Sequence, residues 1–474
     1  MPLVSIYITN YNYDKYLKQA IESVLNQTHK NIELFIIDDG SEDNSKHIME
    51  EYRYTPHVTV IYQQNKGLNA TNNVAMNLAT GKYFMRLDAD DFLDPYAIET
   101  MVAAMDADDE LGLIFPDYYY IDADGNIIGE ERRHDFETDV SLYDQPAHGA
   151  CTMVRLEFLK KLGGYNEAFT CQDGYELWIK FTLNHKVNNI NKPLFYYRRH
   201  GNNLTTNEEK ILSTRQKIKS NYIQEHSIHL PPTVVIIPVR NTSIGGNNWP
   251  MYHWSGKTIL EHAIQKACEA DTIQWVVVSS ADDNIISYVS SLTQYTKLIV
   301  VKRPESFARV NESLNKTIDL VLDTLVQHNV QPEAIMTLSL EYPFVASDNL
   351  NDAVNTLSLF KSDSLLSVRP DNRMYYQHVG HGMVPILDQD KFTKLEREAL
   401  YKGAGGIAIS TLESYRKNRR LVAGKVGHIV VGSEAAFHIN SFFDYTLFSG
   451  LNKFNHNNGN IAITDLEQPS EYEN

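Results

Sequence analysis

Cysteine is scarce in this chain of 474 residues: there are 3, Cys151, Cys171 and Cys268. Three cannot frame a disulfide scaffold, and no two have the short spacing of a zinc clip. They are read as small buried apolar residues. Long apolar runs are missing too. No 18 residues run apolar, so no membrane-spanning helix is expected. The start, Met1-Pro-Leu-Val-Ser5, lacks a basic stretch followed by an apolar one, so it does not read as a secretory signal. Together these absences set a reducing, cytoplasmic location as the expectation. Positive charge is also short, with 43 Lys+Arg against 60 Asp+Glu and a formal net charge of -17. Nucleic-acid binders need a basic face to displace phosphate counterions, so that class is set aside. Tight docking on anionic membrane is disfavoured by the same balance.

Apolar material, by contrast, is ample. Hydrophobic residues make up 43% and charged residues 22%, the balance of a globular protein. At roughly 150 residues per domain, the length suggests about three domains or two larger ones. The first half alternates strand and helix: strands at 4–9, 32–37, 58–62 and 83–87, and helices at 15–26, 45–54 and 69–79, with Asp14 as an N-cap. Beyond residue 113 the pattern loosens around the turn Asp122-Ala-Asp124-Gly125. Helices are expected again at 156–162 and 173–184, and a strand at 194–197. A polar helix at 210–223, stopped by Leu230-Pro-Pro232, reads as a linker within 208–231. Alternation then restarts, with strands at 234–238, 275–279, 298–301, 335–340, 364–368 and 428–431. Helices are expected at 258–270, 313–328, 348–360 and 444–448. The stretch 370–402 reads as irregular. The expected organisation is two α/β Rossmann-like domains, 1–207 and 232–452, with mostly parallel sheets covered by helices on both faces. An acidic tail at 453–474 is expected to be disordered.

Carboxylates gather where these strands end. Asp39 follows the second strand, and Asp88, Asp90 and Asp91 follow the fourth. Ligands of open α/β sheets bind at such carboxyl ends. Converging carboxylates repel unless a cation or a hydrogen-bonded ligand joins them. Mg²⁺ or Mn²⁺ suits such hard oxygen donors and shares its shell with a diphosphate.

The order of motifs resembles family 2 glycosyltransferases of the GT-A fold over about residues 1–205. The resemblance is carried by Val4-Ser-Ile-Tyr-Ile-Thr-Asn-Tyr-Asn12, Ala20-Ile-Glu-Ser-Val-Leu-Asn-Gln-Thr28, Glu33-Leu-Phe-Ile-Ile-Asp-Asp-Gly-Ser41, Asn65-Lys-Gly67 and Ala79-Thr-Gly-Lys-Tyr83. It continues through Leu87-Asp-Ala-Asp-Asp91, Gly163-Gly-Tyr-Asn-Glu167, Gln172-Asp173 with Glu176-Leu-Trp178, and Tyr197-Arg-Arg-His200. It implies that Thr9, Tyr11 and Asp39 hold the nucleotide base and ribose. Asp88 and Asp90 would grip ribose and a metal on the donor diphosphate, with Asp91 as an additional ligand. Asp173 matches the family's general base, and Arg198 and His200 match a segment that closes on the diphosphate. Two positions depart from the pattern: Asn72 stands where Arg is frequent, and Gln172 replaces Glu. The implied activity is inverting, metal-dependent sugar transfer from a nucleotide sugar, with UDP the commonest base, to a glycan or lipid-linked acceptor in surface polysaccharide synthesis. Such a role implies a cytoplasmic protein that can sit at the inner face of the membrane.

The second half is similar to cytidylyltransferases that activate acidic sugars. Val234-Val-Ile-Ile-Pro-Val-Arg240, Ser255-Gly-Lys-Thr-Ile-Leu260, Lys302-Arg-Pro-Glu305, Leu338-Ser-Leu-Glu-Tyr-Pro-Phe344 and Ala435-Ala-Phe-His-Ile-Asn-Ser-Phe-Phe-Asp444 carry the likeness. Each piece is weakened. Ile244 stands at the Lys position of the phosphate loop, and His438-Ile-Asn440 replaces a metal-binding pair of carboxylates with poorer Mg²⁺ ligands. The expectation is a degenerate domain with Arg240, Ser243, Lys257 and Arg303 as a candidate ligand site. The alternatives left open are cytidylyl transfer, nucleotide binding or a scaffold role that includes homo-oligomer formation through this half. His378 and His381 lie in a Gly-containing loop and are read as surface histidines rather than a metal pair.

Overall fold

The computed structural model describes residues 1–200, 207–244, 246–371, 373, 375–386 and 400–457, with side chains to 451. The chain divides into two compact units: Met1–Glu225 with Asp371–Leu400, and His226–Pro370 with the chain from Tyr401 onward. No helix among the described residues is long and apolar enough to cross a membrane.

The first unit is built on a nine-stranded sheet. Its strands are β1 (Val4–Asn10), β2 (Ile32–Asp38), β3 (Val58–Tyr62), β4 (Tyr83–Asp88), β5 (Phe92–Leu93), β6 (Leu111–Ile121), β7 (Ile127–Glu131), β8 (Met153–Arg155) and β9 (Lys186–Arg198). They lie in the order β3-β2-β1-β4-β8-β6-β9-β5, with β7 paired to β6. From β3 to β4 the pairs are parallel. Beyond β4 the sheet is mixed: β8 is antiparallel to β4 and β6, while β6 and β9 are parallel. Period-2 alternation explains why β1 has to be central. Val4, Ile6 and Ile8 enter one apolar cluster with helix Asp14–Leu25, while Tyr7 enters the other with Phe84 and Trp178.

The expected strands and helices before residue 90 are present with small shifts in their ends. Asp14 is not the cap: it is the first helical residue, and its Oδ2 accepts from the Asn44 amide at 3.2 Å. The helix expected at 45–54 stops at Glu50 and continues as turns. Several elements went unread: helix Ala97–Ala107, strands β5, β6, β7 and β8, and most of β9. β9 contains Asn188, Asn189 and Asn191, which obscure a strand pattern. Asn189 and Asn191 instead donate to the His134 and Arg133 carbonyls at 2.9 and 2.7 Å, so side chains that look like loop chemistry tie a neighbouring loop to the sheet.

The segment expected as a linker forms helix Glu208–Glu225 and belongs to the first unit. Thr214, Ile218, Lys219, Tyr222 and Ile223 are buried along it. Tyr222 accepts from Asn184 Nδ2 at 2.8 Å, at the end of helix Asp173–Asn184.

The second unit holds a seven-stranded sheet. Its order is Leu298–Lys302, Ile273–Ser280, Thr233–Val239, Ala334–Leu338, Leu400–Thr411, Ser364–Asp371 and Val426–Val430. Leu400–Thr411 runs antiparallel to Ala334–Leu338, and the first four strands are mutually parallel. Alternation along Thr233–Val239 again feeds two cores, Val235 and Ile237 on one side and Val234 and Ile236 on the other. Helix Asp283–Ser291 was unread although Asp282 caps it, accepting from the Asn284 amide at 2.8 Å. The strand Leu400–Thr411 was hidden by Gly403, Gly405 and Gly406. The expected tail at 453–474 lies outside the described residues, except that helix Phe442–Asn457 runs into its first positions.

Candidate active site

The chain proceeds from β1 outward to β3 and then returns to place β4 on the other side of β1. Such a reversal leaves a crevice at the strands' carboxyl ends. The register pairs Thr9 with Asp88 there. A cleft of about 440 Å³ opens at this point. Thr9, Tyr11, Asp39, Asp88, Asp90 and Asp173 all line it. Those six were expected from sequence as one site, and 164 residues separate the first from the last.

The acidic turn after β4 carries its charge at close quarters. Burial and the neighbouring Asp88 push the Asp90 carboxyl up, while a hydrogen bond from His200 Nε2 at 2.9 Å pulls the other way. Burial, with Asp90 and Asp88 alongside, holds the Asp91 carboxyl well above the usual range. Hard, mutually repelling oxygens suit a divalent cation by their chemistry. No group of three or more His, Cys, Asp or Glu surrounds one point among the described residues. Of the three carboxylates in the turn, Asp88 and Asp90 line the cleft.

Arg86 organises the other wall. It lies on β4, buried, two residues before Asp88. Its Nε is 2.8 Å from Asp88 Oδ1, and its Nη1 forms an ion pair with Asp173 Oδ2. Asn72 Nδ2 adds a longer bond to the same Asp173 oxygen at 3.3 Å. Burial alone disfavours the Arg86 charge, but the Asp173 and Asp88 carboxylates outweigh it and hold its proton more firmly. Close backbone approach makes the arrangement fit. A Cβ on Gly174 would lie 2.7 Å from Gly149 Cα, and one on Gly149 would lie 3.0 Å from Arg86 Nη2.

Three expected residues serve elsewhere. Asp91 does not line the cleft; Oδ1 accepts from the Arg198 amide at 2.8 Å. Arg198 is buried and does not line it either. Its guanidinium donates to the carbonyls of Asp90, Asp122 and Ala123 and to Gln19 Oε1, and it lies 4.4 Å from the Tyr16 ring centre. It braces the acidic turn from behind rather than facing a diphosphate. His200 does not line the cleft; it bonds to Asp90 and packs against Tyr13 and Tyr16. Asp39 lines the cleft, but Gln63 Nε2 and the Lys66 and Gly67 amides already occupy its carboxylate at 2.7, 2.9 and 3.0 Å. It shapes the Asn65–Gly67 loop as much as it faces a ligand.

Other lining residues were not foreseen. Arg86 was detectable: a lone charge inside the apolar strand Tyr83-Phe-Met-Arg-Leu-Asp88 requires a buried partner. His148, whose proton affinity is lowered by burial, and Arg215 also line the cleft. Arg215 sits on the helix read as a linker, and nothing in the local pattern pointed it inward.

In the second unit a cavity of about 300 Å³ lies past the ends of Thr233–Val239 and Ala334–Leu338. Arg240, Arg303 and Arg309 line it, with Trp249 and Glu341. Burial, and then the neighbouring Arg240, push the Arg303 guanidinium down to about 10. Ser243 and Lys257 do not join them. Lys257 donates to Gln265 Oε1 at 2.8 Å, and Ser243 lies in the short Ser243–Ile244 strand. Asn440 Nδ2 and His438 Nδ1 lie 3.2 Å apart, with His438 stacked on Tyr342. His378 accepts from the Gly380 amide at 3.2 Å on an exposed hairpin.

Comparisons with known proteins add to this geometry. The model of the family described as "Glycosyl transferase family 2" matches residues 5–163. An uncharacterized glycosyltransferase of Methanocaldococcus jannaschii is 32% identical over 232 residues, which are 47% of this chain and 78% of that protein. Chondroitin synthase of Escherichia coli is 33% identical over 204 residues, 43% of this chain but 30% of its own length. The chain thus spans under a third of that synthase. A solved structure of S. aureus TarS in complex with UDP-GlcNAc is 19% identical, covering 46% of this chain and 66% of that one at a TM-score of 0.41.

Proposed function

Since the chain belongs to glycosyl transferase family 2, we propose that its first unit moves a sugar from a nucleotide-sugar donor, with inversion, onto a hydroxyl of a glycan or lipid-linked acceptor. A UDP donor and a role in surface polysaccharide synthesis are part of this reading. The observation that carries it is the convergence of Asp88, Arg86 and Asp173 on one cleft. In-line displacement at an anomeric carbon needs a proton acceptor on one side and charge neutralisation on the other. Asp173 takes the acceptor hydroxyl's proton. Its ion pair with Arg86 fixes the carboxylate's place, and the free Oδ1 edge is left for the hydroxyl. Asp88 and Asp90 would hold Mg²⁺ or Mn²⁺, which supplies positive charge to the departing diphosphate. Thr9, Tyr11 and the loop shaped by Asp39 form the donor's nucleoside wall. Asp91 and Arg198 keep the acidic turn in position, and His200 orients Asp90.

Transfer and hydrolysis assays with a panel of nucleotide sugars and Mn²⁺ test this. Asp90→Ala and Asp173→Asn should each lower turnover by about 10²–10⁴, with the fold kept. Full activity in both would remove the assigned roles.

A second reading concerns the second unit, where like charges sit together: Arg240 lowers the proton affinity of Arg303 across the same cavity. We propose that this degenerate, cytidylyltransferase-like domain retains an anion-binding cavity, for a nucleotide or an acidic sugar, without efficient cytidylyl transfer. His438 and Asn440 in place of carboxylates argue for that loss. Pyrophosphate release from CTP and an acidic sugar would overturn it.

A further inference from the structure

His148 lines the first unit's cleft and has no part in the transfer step assigned above. It stands in the stretch that leads into β8, where Thr152 Oγ1 donates to its carbonyl and pins the backbone. The next residue lies against the Arg86–Asp173 ion pair. A Cβ on Gly149 would be 3.0 Å from Arg86 Nη2 and 3.5 Å from Asp173 Oδ2. His148 thus enters the cleft beside the carboxylate assigned to the acceptor's proton.

The ring is held on several sides. Its centre lies 4.7 Å from that of Tyr197, 5.5 Å from Phe195 and 5.6 Å from Tyr118. Among the described residues its hydrogen bonds run through Nδ1 alone, which lies 3.2 Å from the Ala150 amide nitrogen and 3.4 Å from the Ala150 carbonyl oxygen. The nearer partner is the amide, which can only donate. Nδ1 therefore accepts, and the ring's proton is on Nε2. Burial lowers the ring's proton affinity below its ordinary value, against the pull of Asp88. At pH 7 the ring is neutral. The charges that act on it are those of Asp88, Arg86 and Asp173, so it stands between the two ends of the site.

In-line transfer determines what lies between those ends. The departing diphosphate is on the side of Asp88 and Asp90, and the acceptor hydroxyl is beside Asp173. The pyranose being moved spans the space between them. Its hydroxyls, or an acetamido carbonyl, are oxygens that accept hydrogen bonds. A site built to bond one such oxygen rejects a sugar that turns it elsewhere, because the site's N–H is then left unpaired.

We propose that His148 is a specificity residue for the nucleotide sugar, and that its Nε2–H donates to one ring substituent of the transferred hexose, a hydroxyl or an acetamido oxygen. The proposal rests on the transfer reading above and assigns the group that reads the sugar.

The experiment uses the full chain with Mg²⁺ and no acceptor, followed by titration calorimetry. UDP, GDP, ADP and dTDP are titrated first. The glucose, galactose, mannose and N-acetylglucosamine derivatives of the tightest binder follow. In the wild type the four sugars should differ in affinity by about tenfold or more. His148→Phe keeps a ring against Tyr197 but removes the N–H. It should weaken the best sugar nucleotide about tenfold and bring the four to within about threefold of one another. Affinity for the bare diphosphate should stay within about twofold, which also reports that the fold is kept. His148→Gln, whose amide donates from near the same place, should retain part of the preference, which a merely structural loss would not. Three results overturn the proposal: no preference in the wild type, a preference that survives His148→Phe, or a loss of bare diphosphate binding as large as that of the sugar nucleotide. No diphosphate bound by the wild type would remove the transfer reading and this one with it, whereas intact diphosphate binding with an unchanged order of sugars removes this one alone.

Discussion

Arg86 and Asp173 form a buried ion pair across 87 positions of sequence, joining the strand before the acidic turn to the first residue of helix Asp173–Asn184. Removing one partner leaves an uncompensated charge in a dry site. Arg86→Met should therefore destabilise the first unit by about 3–5 kcal/mol, read as a shift in urea unfolding. The double variant Arg86→Met/Asp173→Leu should recover much of that stability while remaining inactive.

The contact of Gly149 with Gly174 gives a steric prediction. Gly174→Ala sets a methyl 2.7 Å from Gly149 Cα, against backbone that cannot swing away. A loss of about 1–3 kcal/mol is expected, measurable by thermal unfolding. Transfer activity should fall further than stability, because the same shift moves Asp173.

Glu33 yields a pH dependence. Burial pushes its carboxyl up, but hydrogen bonds from Ser5 Oγ at 2.5 Å, from the Thr80 amide and hydroxyl, and from the Gly81 amide outweigh burial and hold it below its ordinary value. The ionised form is thus favoured by folding. Its stabilisation is complete above the unfolded carboxyl's value and is lost as pH falls through the folded one. Glu33→Gln should cost about 1–3 kcal/mol at pH 7. The difference from wild type should shrink on acidification below about pH 4, as followed by denaturant midpoints across pH.

Thiol chemistry separates the cysteines. Burial raises the Cys151 thiol far above the usual range, and raises Cys268 to about 11. At pH 8 a disulfide reagent should label Cys171 first, in the cleft wall. Cys151 should react only on unfolding.

The sheet's parallel half was legible because strands buried on both faces carry continuous apolar runs, as in Val4–Asn10 and Ile32–Asp38. The mixed half was not. β8 has three residues, too few for any period, and β9 owes its ladder to the long partner β6 rather than to its Asn-rich sequence. Of the site, the carboxylates could be read from their position after strands. What they bond to could not: Asp91 and Arg198 look like ligands in sequence and act as braces in space. Arg215 was hidden for another reason. Helix Glu208–Glu225 has mostly polar residues, so its buried face left no clear stripe.

That helix also fixes where the transferase half can be cut. A fragment ending near residue 207 would strip Ile218, Tyr222 and Ile223 from the surface they cover and leave Gln172 without its guanidinium partner. A cut after Glu225 keeps that helix with its sheet, yet it still parts the first unit from Asp371–Leu400, which belongs to it as well, so the polypeptide does not divide into its two units at a single point.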